Sequence, residues 1–277
     1  MGGEKVLAAL HRRVYPDRPF AAGEEAAEHG DLEHVLAKLP EARAFVTRLL
    51  RRLEPYRPLQ PGDRILDVGA AQGVTLVAFL DAGLDARGVE PWGPAIEISK
   101  ELAARTDTEL EIVSGVAESL PYGNSSFDLV FAYSVLEHVT DPRAAFREAF
   151  RVLADGGVFF FSTNSRLCPR QPEIRGFPLF PWYPPTLQRR IMDWTTEQRP
   201  WLVGNTATPA RHWFRHRWVK AALYSVGFRD VVNRWQLRPL EEQEGWRRRV
   251  LAAAKVNGGV QLIGDLLVPG MEYAALK

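Results

Sequence analysis

The spacing of apolar and polar positions divides the chain into three textures. Over residues 1–60 apolar side chains recur at helical intervals, which predicts amphipathic helices at 5–14, 32–39 and 41–53, broken by Pro16, Pro19 and Pro40. From 62 to about 163, short β-rich runs alternate with longer helical patterns. Strands are expected at 64–68, 86–90, 110–113, 127–133 and 157–163, with helices following 73, over 92–105 and over 142–153. The run 127–133 is apolar on both faces, as a parallel strand between two helical layers must be. Beyond 163 the period is lost, and 164–210 is rich in proline and aromatic residues. An unperiodic stretch that long is usually functional rather than a plain connector. Regularity returns with a helix over 214–226, a strand over 230–235, a charged helical stretch and a closing strand at 272–276. This order predicts an α/β fold with a mostly parallel sheet and helices on both faces. We divide it into a helical N-terminal cover at 1–60 and a main domain at 61–277, with the aromatic-rich insert at 164–210.

Composition narrows the setting. A chain of 277 residues holds a full hydrophobic core. Its formal net charge of +1 gives no reason in total charge to expect nucleic acid or an anionic membrane as partner. Cys168 is the single cysteine, which excludes an internal disulfide and suits a reducing compartment. The start of the chain has no apolar signal core, and no apolar run approaches the roughly 18 residues of a membrane span. The expectation is a cytoplasmic protein without a membrane span. Basic clusters occur at 211–220 and 247–249, the first interleaved with Trp213, Phe214 and Trp218. Trp218, Ala221, Ala222 and Val226 fall at helical spacing, so an amphipathic helix is favoured over a nucleic-acid platform. A homodimer contact or an anion site there stays open.

The candidate chemistry centres on Arg64-Ile-Leu-Asp-Val-Gly-Ala-Ala-Gln-Gly73. A short strand, a loop bracketed by Gly69 and Gly73, and an apolar-periodic helix form the first unit of a nucleotide-binding α/β fold. The dinucleotide fingerprint does not fit, because Ala71 stands at its second glycine and Gly73 comes one residue early. Asp67 before the loop would repel a pyrophosphate but pair with an ammonium. Glu90, at the end of the second strand, suits the two hydroxyls of a ribose.

Further motifs follow in order: Gly115-Val-Ala-Glu-Ser-Leu-Pro, Phe127-Asp128, Tyr133-Ser-Val-Leu-Glu-His-Val139 with Asp141-Pro142, and Arg151-Val-Leu-Ala-Asp-Gly-Gly157. Together with the glycine loop they resemble the class I S-adenosylmethionine-dependent methyltransferases, of the quinone-biosynthesis and sugar O-methyltransferase type. The resemblance spans roughly residues 60–165 and implies a Rossmann-like fold with a mostly parallel seven-stranded sheet. It also implies that Asp67, Gly69, Ala70, Ala71, Gln72 and Gly73 hold the cofactor, with Glu90 and Pro91 at its ribose. Ala117 and Glu118 would meet the adenine, and Tyr133 and Ser134 would lie beside it. Asp128 reads as structural.

Methyl transfer to a hydroxyl needs an aligned acceptor and a base for its proton. His138 is the candidate base with Glu137 assisting; the rival role for His138 is a loop cap bonded to Asp141. In some related quinone O-methyltransferases two glutamates and this histidine bind a divalent metal. Ser134 replaces the first glutamate here, so Mg²⁺ would be left with Glu137 and His138. The insert also resembles one in bacterial enzymes linked to glycan and natural-product pathways. Asn164, Arg166, Phe177, Trp182 and Tyr183, with Tyr15 from the cover, are the candidate substrate residues, since aromatic faces and polar groups suit a saccharide. A phenolic or quinone-like acceptor is the alternative, and a NAD-dependent Rossmann oxidoreductase the rival class.

Overall fold

The computed structural model describes residues 32–170, 173–204 and 209–277, so the helix expected at 5–14 and Tyr15 lie outside the described residues. The described chain opens with α1 (Leu32–Ala37) and α2 (Leu39–Leu53). Pro40 falls in the first turn of α2, where a proline costs no intrahelical hydrogen bond. The expected break is therefore a junction between two helices.

Seven strands follow: β1 (Arg64–Val68), β2 (Asp85–Glu90), β3 (Glu111–Ser114), β4 (Phe127–Tyr133), β5 (Leu153–Asn164), β6 (Arg229–Asn233) and β7 (Gly270–Leu276). They form one sheet in the order β3-β2-β1-β4-β5-β7-β6. Strands β1 to β5 pair in parallel, and β7 runs antiparallel between β5 and β6. Between the strands lie α3 (Val74–Asp81), α4 (Gly93–Thr106), α5 (Pro142–Val152), α6 (Pro185–Gln198), α7 (His216–Val226), α8 (Arg234–Leu237), α9 (Gly245–Val256) and α10 (Gly258–Leu267).

Alternate residues of the central strands feed two cores. On one face Phe131, Phe160 and Ala274 meet Val46, Leu49 and Leu53 of α2 and Leu76 and Phe79 of α3. On the other, Val130, Phe159 and Phe161 meet Phe146 of α5 and Val219 and Leu223 of α7. Strand order reverses between β1 and β4. In open α/β sheets the ligand crevice lies at that reversal, outside the carboxyl ends of the strands.

Three sequence expectations are corrected. Strand 230–235 ends at Asn233, whose side chain and Gln236 form a reciprocal capping box that opens α8, so Trp235 is helical. The insert contains a 14-residue helix, α6, that showed no clear period. The charged helical stretch is two helices, capped apart by the Asn257 side chain on the amides of Gly259 and Val260. Among the described residues no single helix is long and apolar enough to cross a membrane. Only α9 and α10 together meet that test, bent by 119°.

Phe131 stacks on Phe160 at 5.8 Å and meets Phe79 edge-on at 5.3 Å, so it joins the sheet to its helical layer. Phe131→Ala is expected to lower unfolding free energy by about 3–5 kcal/mol in denaturant titration. A loss below about 1 kcal/mol would show that this layer does not rest on it.

Candidate functional site

The loop after β1 is bent by left-handed backbone at alternate positions, with φ of 77° at Gly69, 47° at Ala71 and 84° at Gly73. The Gly69 and Ala70 amides both donate to the Val89 carbonyl, at 2.7 and 3.1 Å, and tie the loop to β2. A Cβ on Gly69 would stand 2.5 Å from Cγ2 of Val135, so the loop after β4 closes directly against it. Ala71 adopts the left-handed conformation without being glycine, at a cost of about 1–2 kcal/mol. Gly73 then starts α3, whose open amides face the crevice end.

Two buried carboxyl groups lie under this loop. Glu90 Oε2 accepts the Ala71 N–H at 2.9 Å and Oε1 accepts the Trp92 N–H at 2.9 Å. Burial raises the Glu90 pKa, and these two hydrogen bonds pull against the rise. Each oxygen keeps a further lone pair, so two ribose hydroxyls fit the same carboxylate. Asp67 is pushed up to about 8, first by burial and then by the charge of Glu90. An ammonium group beside Asp67 would restore its charged form. The Trp92 Nε1 is buried with no hydrogen-bond partner among the described residues. A glycine loop, a ribose-type carboxylate and an ammonium-type carboxylate on one crevice fit S-adenosylmethionine. Ala70 and Gln72 are buried in the loop and Pro91 is half-buried beside Glu90.

The adenine side departs from expectation in one respect. Ala117 is buried, but Glu118 Oε1 accepts the amides of Thr140 and Asp141, at 2.6 and 3.3 Å. One oxygen of Glu118 therefore ties its loop to the start of α5. Asp141 caps α5 through the Arg143 amide and faces Arg147. Asp128 pairs with Arg64 and Arg57, a structural role as expected.

Beyond β4, the Tyr133 ring stacks over Phe131 at 6.1 Å and meets Phe45 of α2 edge-on. Ser134, at φ 56°, donates its N–H to Ser162 Oγ at 3.0 Å. Glu137 is 1% exposed and accepts the Thr163 hydroxyl at 2.9 Å, and burial pushes its pKa up to about 8. Its carbonyl accepts the Arg211 and His212 amides, and the His212 Nε2–H donates to the Val139 carbonyl at 2.9 Å. Glu137 is thus a fastening inside the protein. His138, half-buried, donates its backbone N–H to Val135. Among the described residues no three His, Cys, Asp or Glu side chains are grouped to hold a metal ion. With Glu137 bonded to Thr163, the Mg²⁺ expectation lacks a ligand set, and no step is assigned to metal. Sequence reasoning missed Ser162, Thr163 and His212, which no local motif marks.

The insert folds on its own small core around Phe180, with Phe177 and Tyr183 packed against it and Trp213 edge-on at 5.1 Å. Arg166 Nη2 donates to the Tyr183 carbonyl at 3.3 Å, and Trp182 Nε1 to that of Leu167 at 3.2 Å. Phe177, Tyr183 and Arg166, each partly buried, therefore help to hold the insert together. Trp182 stays half-exposed, and Asn164 is buried with Nδ2 unpartnered among the described residues.

Residues 66–161 match the family described as a methyltransferase domain. Over these residues the chain carries a methyltransferase domain, on a Rossmann-like fold of the class I kind. It is 34% identical over 136 residues to 27-O-demethylrifamycin SV methyltransferase of Amycolatopsis mediterranei, covering 48% of this chain and 49% of that protein. A ubiquinone biosynthesis O-methyltransferase of Aliivibrio fischeri is 32% identical over 106 residues, covering 38% and 45%. The chain thus spans about half the length of the curated relatives it matches. Phosphoethanolamine N-methyltransferase 2 of Haemonchus contortus, solved with S-adenosyl-L-methionine, superposes with TM-score 0.54 at 15% identity. It covers 83% of this chain and 52% of that one, a likeness of fold.

Two outcomes are expected of the crevice. Gly69→Ala combines a left-handed backbone with the Val135 clash, and should cost about 2–4 kcal/mol in denaturant titration. An unchanged midpoint would show that the two loops are free to part. The proton held by Asp67 is absent from the unfolded chain above its ordinary range. Its stabilisation is full below the unfolded pKa near 4 and is lost as pH rises through about 8. Asp67→Asn should therefore flatten the decline of unfolding free energy between about pH 5 and 8, by up to ~1.4 kcal/mol per pH unit. An identical slope would place the Asp67 pKa in its ordinary range.

Proposed function

We propose that this protein transfers the methyl group of S-adenosylmethionine to a hydroxyl oxygen of a small molecule. The observation that supports this most is the carboxylate of Glu90, which braces the left-handed loop while keeping lone pairs for a ribose. The printed names of two curated relatives, a 27-O-demethylrifamycin SV methyltransferase and a ubiquinone biosynthesis O-methyltransferase, support an oxygen acceptor.

The bound cofactor supplies an electrophilic methyl on a sulfonium. The chain supplies the rest. Asp67 and Glu90 orient the donor, Ala117 closes the adenine side, and Tyr133 and Ser134 wall the exit toward the acceptor. The chain's own part in the transfer would be to hold the acceptor oxygen in line with that methyl and to keep water away. The hydroxyl proton passes to the His138 imidazole and from there to solvent. Glu137 fixes the segment that presents His138, through Thr163 and its own carbonyl.

On the acceptor, a saccharide was suggested by the flat aromatic faces of the insert. Phe177 and Tyr183 pack within the insert core, which leaves Trp182 as the exposed ring of that set. The reading is therefore a hydroxylated natural-product, phenolic or quinone-like acceptor, with saccharides as one arm of the test.

Calorimetric titration with S-adenosylhomocysteine should give one tight site and titration with NAD none. An absent S-adenosylhomocysteine signal would sink the reading. With an acceptor found by screening these classes, His138→Ala should lower kcat by about 10²–10⁴ while leaving S-adenosylhomocysteine affinity intact. Full turnover in that variant would remove the proton-transfer role.

A further inference from the structure

The carboxyl edge of the sheet continues past the donor crevice. Register sets Tyr133 of β4 beside Ser162 of β5, and Ser162 beside Glu272 of β7. These three side chains share one face of the sheet, the face that α2 covers. Three arginines from two distant parts of the chain converge there. Arg52 comes from the last turn of α2, Arg234 opens α8 and Arg238 follows it.

Their hydrogen bonding is incomplete. Arg52 Nη1 is 3.6 Å from one oxygen of Glu272 and Arg234 Nη2 is 3.7 Å from the other, both beyond hydrogen-bond reach. Arg234 Nη1 donates to the Gly270 carbonyl. The Nε atoms of Arg52, Arg234 and Arg238 are buried with no partner among the described residues. Asn164 Nδ2 is in the same condition, and register sets Asn164 opposite Gly270. Arg234 and Asn164 are only 6% and 5% exposed. A buried donor left without an acceptor costs about 1–3 kcal/mol, which makes four of them along one edge expensive for stability alone. Arg52, Arg234 and Arg238 face Glu272, whose Oε2 is also buried without a hydrogen-bond partner among the described residues, and Glu242 acts on Arg238 as well, so three guanidinium groups meet two carboxylates. Burial, and then the charge of Arg234, lowers the Arg238 pKa. Surplus donors with surplus positive charge form an anion site, and guanidinium forks match carboxylate and phosphate oxygens.

We propose that Arg52, Arg234, Arg238 and Asn164 bind an anionic group of the methyl acceptor, a carboxylate or a phosphate ester. The acceptor is then an acidic small molecule, anchored over β7 with its reacting hydroxyl presented beyond Tyr133. The word "acceptor" rests on the methyltransferase reading; the anion site itself does not.

The test titrates the full chain, with and without S-adenosylhomocysteine, at low ionic strength. The probes are inorganic phosphate and D-glucuronate, with D-glucose as the uncharged control. At least one anion should bind and glucose should not. Arg52→Gln and Arg238→Gln should each weaken that binding about tenfold, with S-adenosylhomocysteine affinity unchanged. Glu272→Gln, which removes a competing carboxylate, should tighten it. Binding of phosphate alone identifies a phosphate ester, and of glucuronate alone a carboxylate. Failure of both anions to bind, or binding indifferent to both arginine variants, overturns the proposal. Anion binding that obeys these variants in a chain that never binds S-adenosylhomocysteine would keep the site and remove the methyltransferase reading.

Discussion

A carboxylate at the end of a buried strand is tolerated only if donors meet its oxygens, and for Glu90 the donors are the main-chain amides of Ala71 and Trp92. One side chain thereby fixes two loops, the one following β1 and the one opening α4. The constraint runs in both directions. The Ala71 amide reaches Glu90 in a left-handed conformation that alanine resists, so the hydrogen bond to a buried charge offsets local strain. Asp67 lies near enough for the negative charge of Glu90 to raise its pKa further. The crevice thus rests on two buried carboxyl groups, one met by backbone amides and the other with its pKa raised by burial and by its neighbour.

The segment after β4 is fastened in a comparable way from other directions. Ser162 holds the Ser134 amide, Thr163 holds the Glu137 side chain, and the amides of Arg211 and His212 hold the Glu137 carbonyl. Gly69 closes the remaining side against Val135. Three parts of the chain fix the position from which His138 leaves the backbone. Such fixing favours proton transfer, where a displacement of about 1 Å is costly. It also separates the two roles that the Glu137-His138 pair suggested, since the glutamate faces inward and is engaged.

Much of this was legible in the sequence for local reasons. The parallel core announced itself through the apolar run at 127–133 and the glycine loop through Gly69 and Gly73, because strand burial and left-handed backbone each demand particular residues. Other features failed for equally physical reasons. Val231 and Val232 carried the strand pattern through to Trp235, while the Asn233 and Gln236 capping box that stops it is a two-residue signal. Helix α6 is flanked by prolines and leaves Trp194 exposed, which masked its amphipathic period. The partners of Glu118, the amides of Thr140 and Asp141, lie on another loop, which no local motif marks. The arginines around Glu272 come from opposite ends of the chain and share no local signature at all.

The boundary of the family match carries an argument of its own. It ends at residue 161, one residue before Ser162. Every group that braces the donor crevice through a side chain at Asp67 or Glu90 lies inside the match. Arg52, Asn164, Arg234, Arg238 and Glu272 lie outside it, Asn164 at the end of β5 and the others on elements the match does not reach. A methyl donor common to many enzymes calls for a constant half, whereas the acceptor half is free to differ from one enzyme to the next. The identity of the acceptor is therefore better sought in what these outer residues require chemically than in the names of proteins that share the inner half. What they require is negative charge.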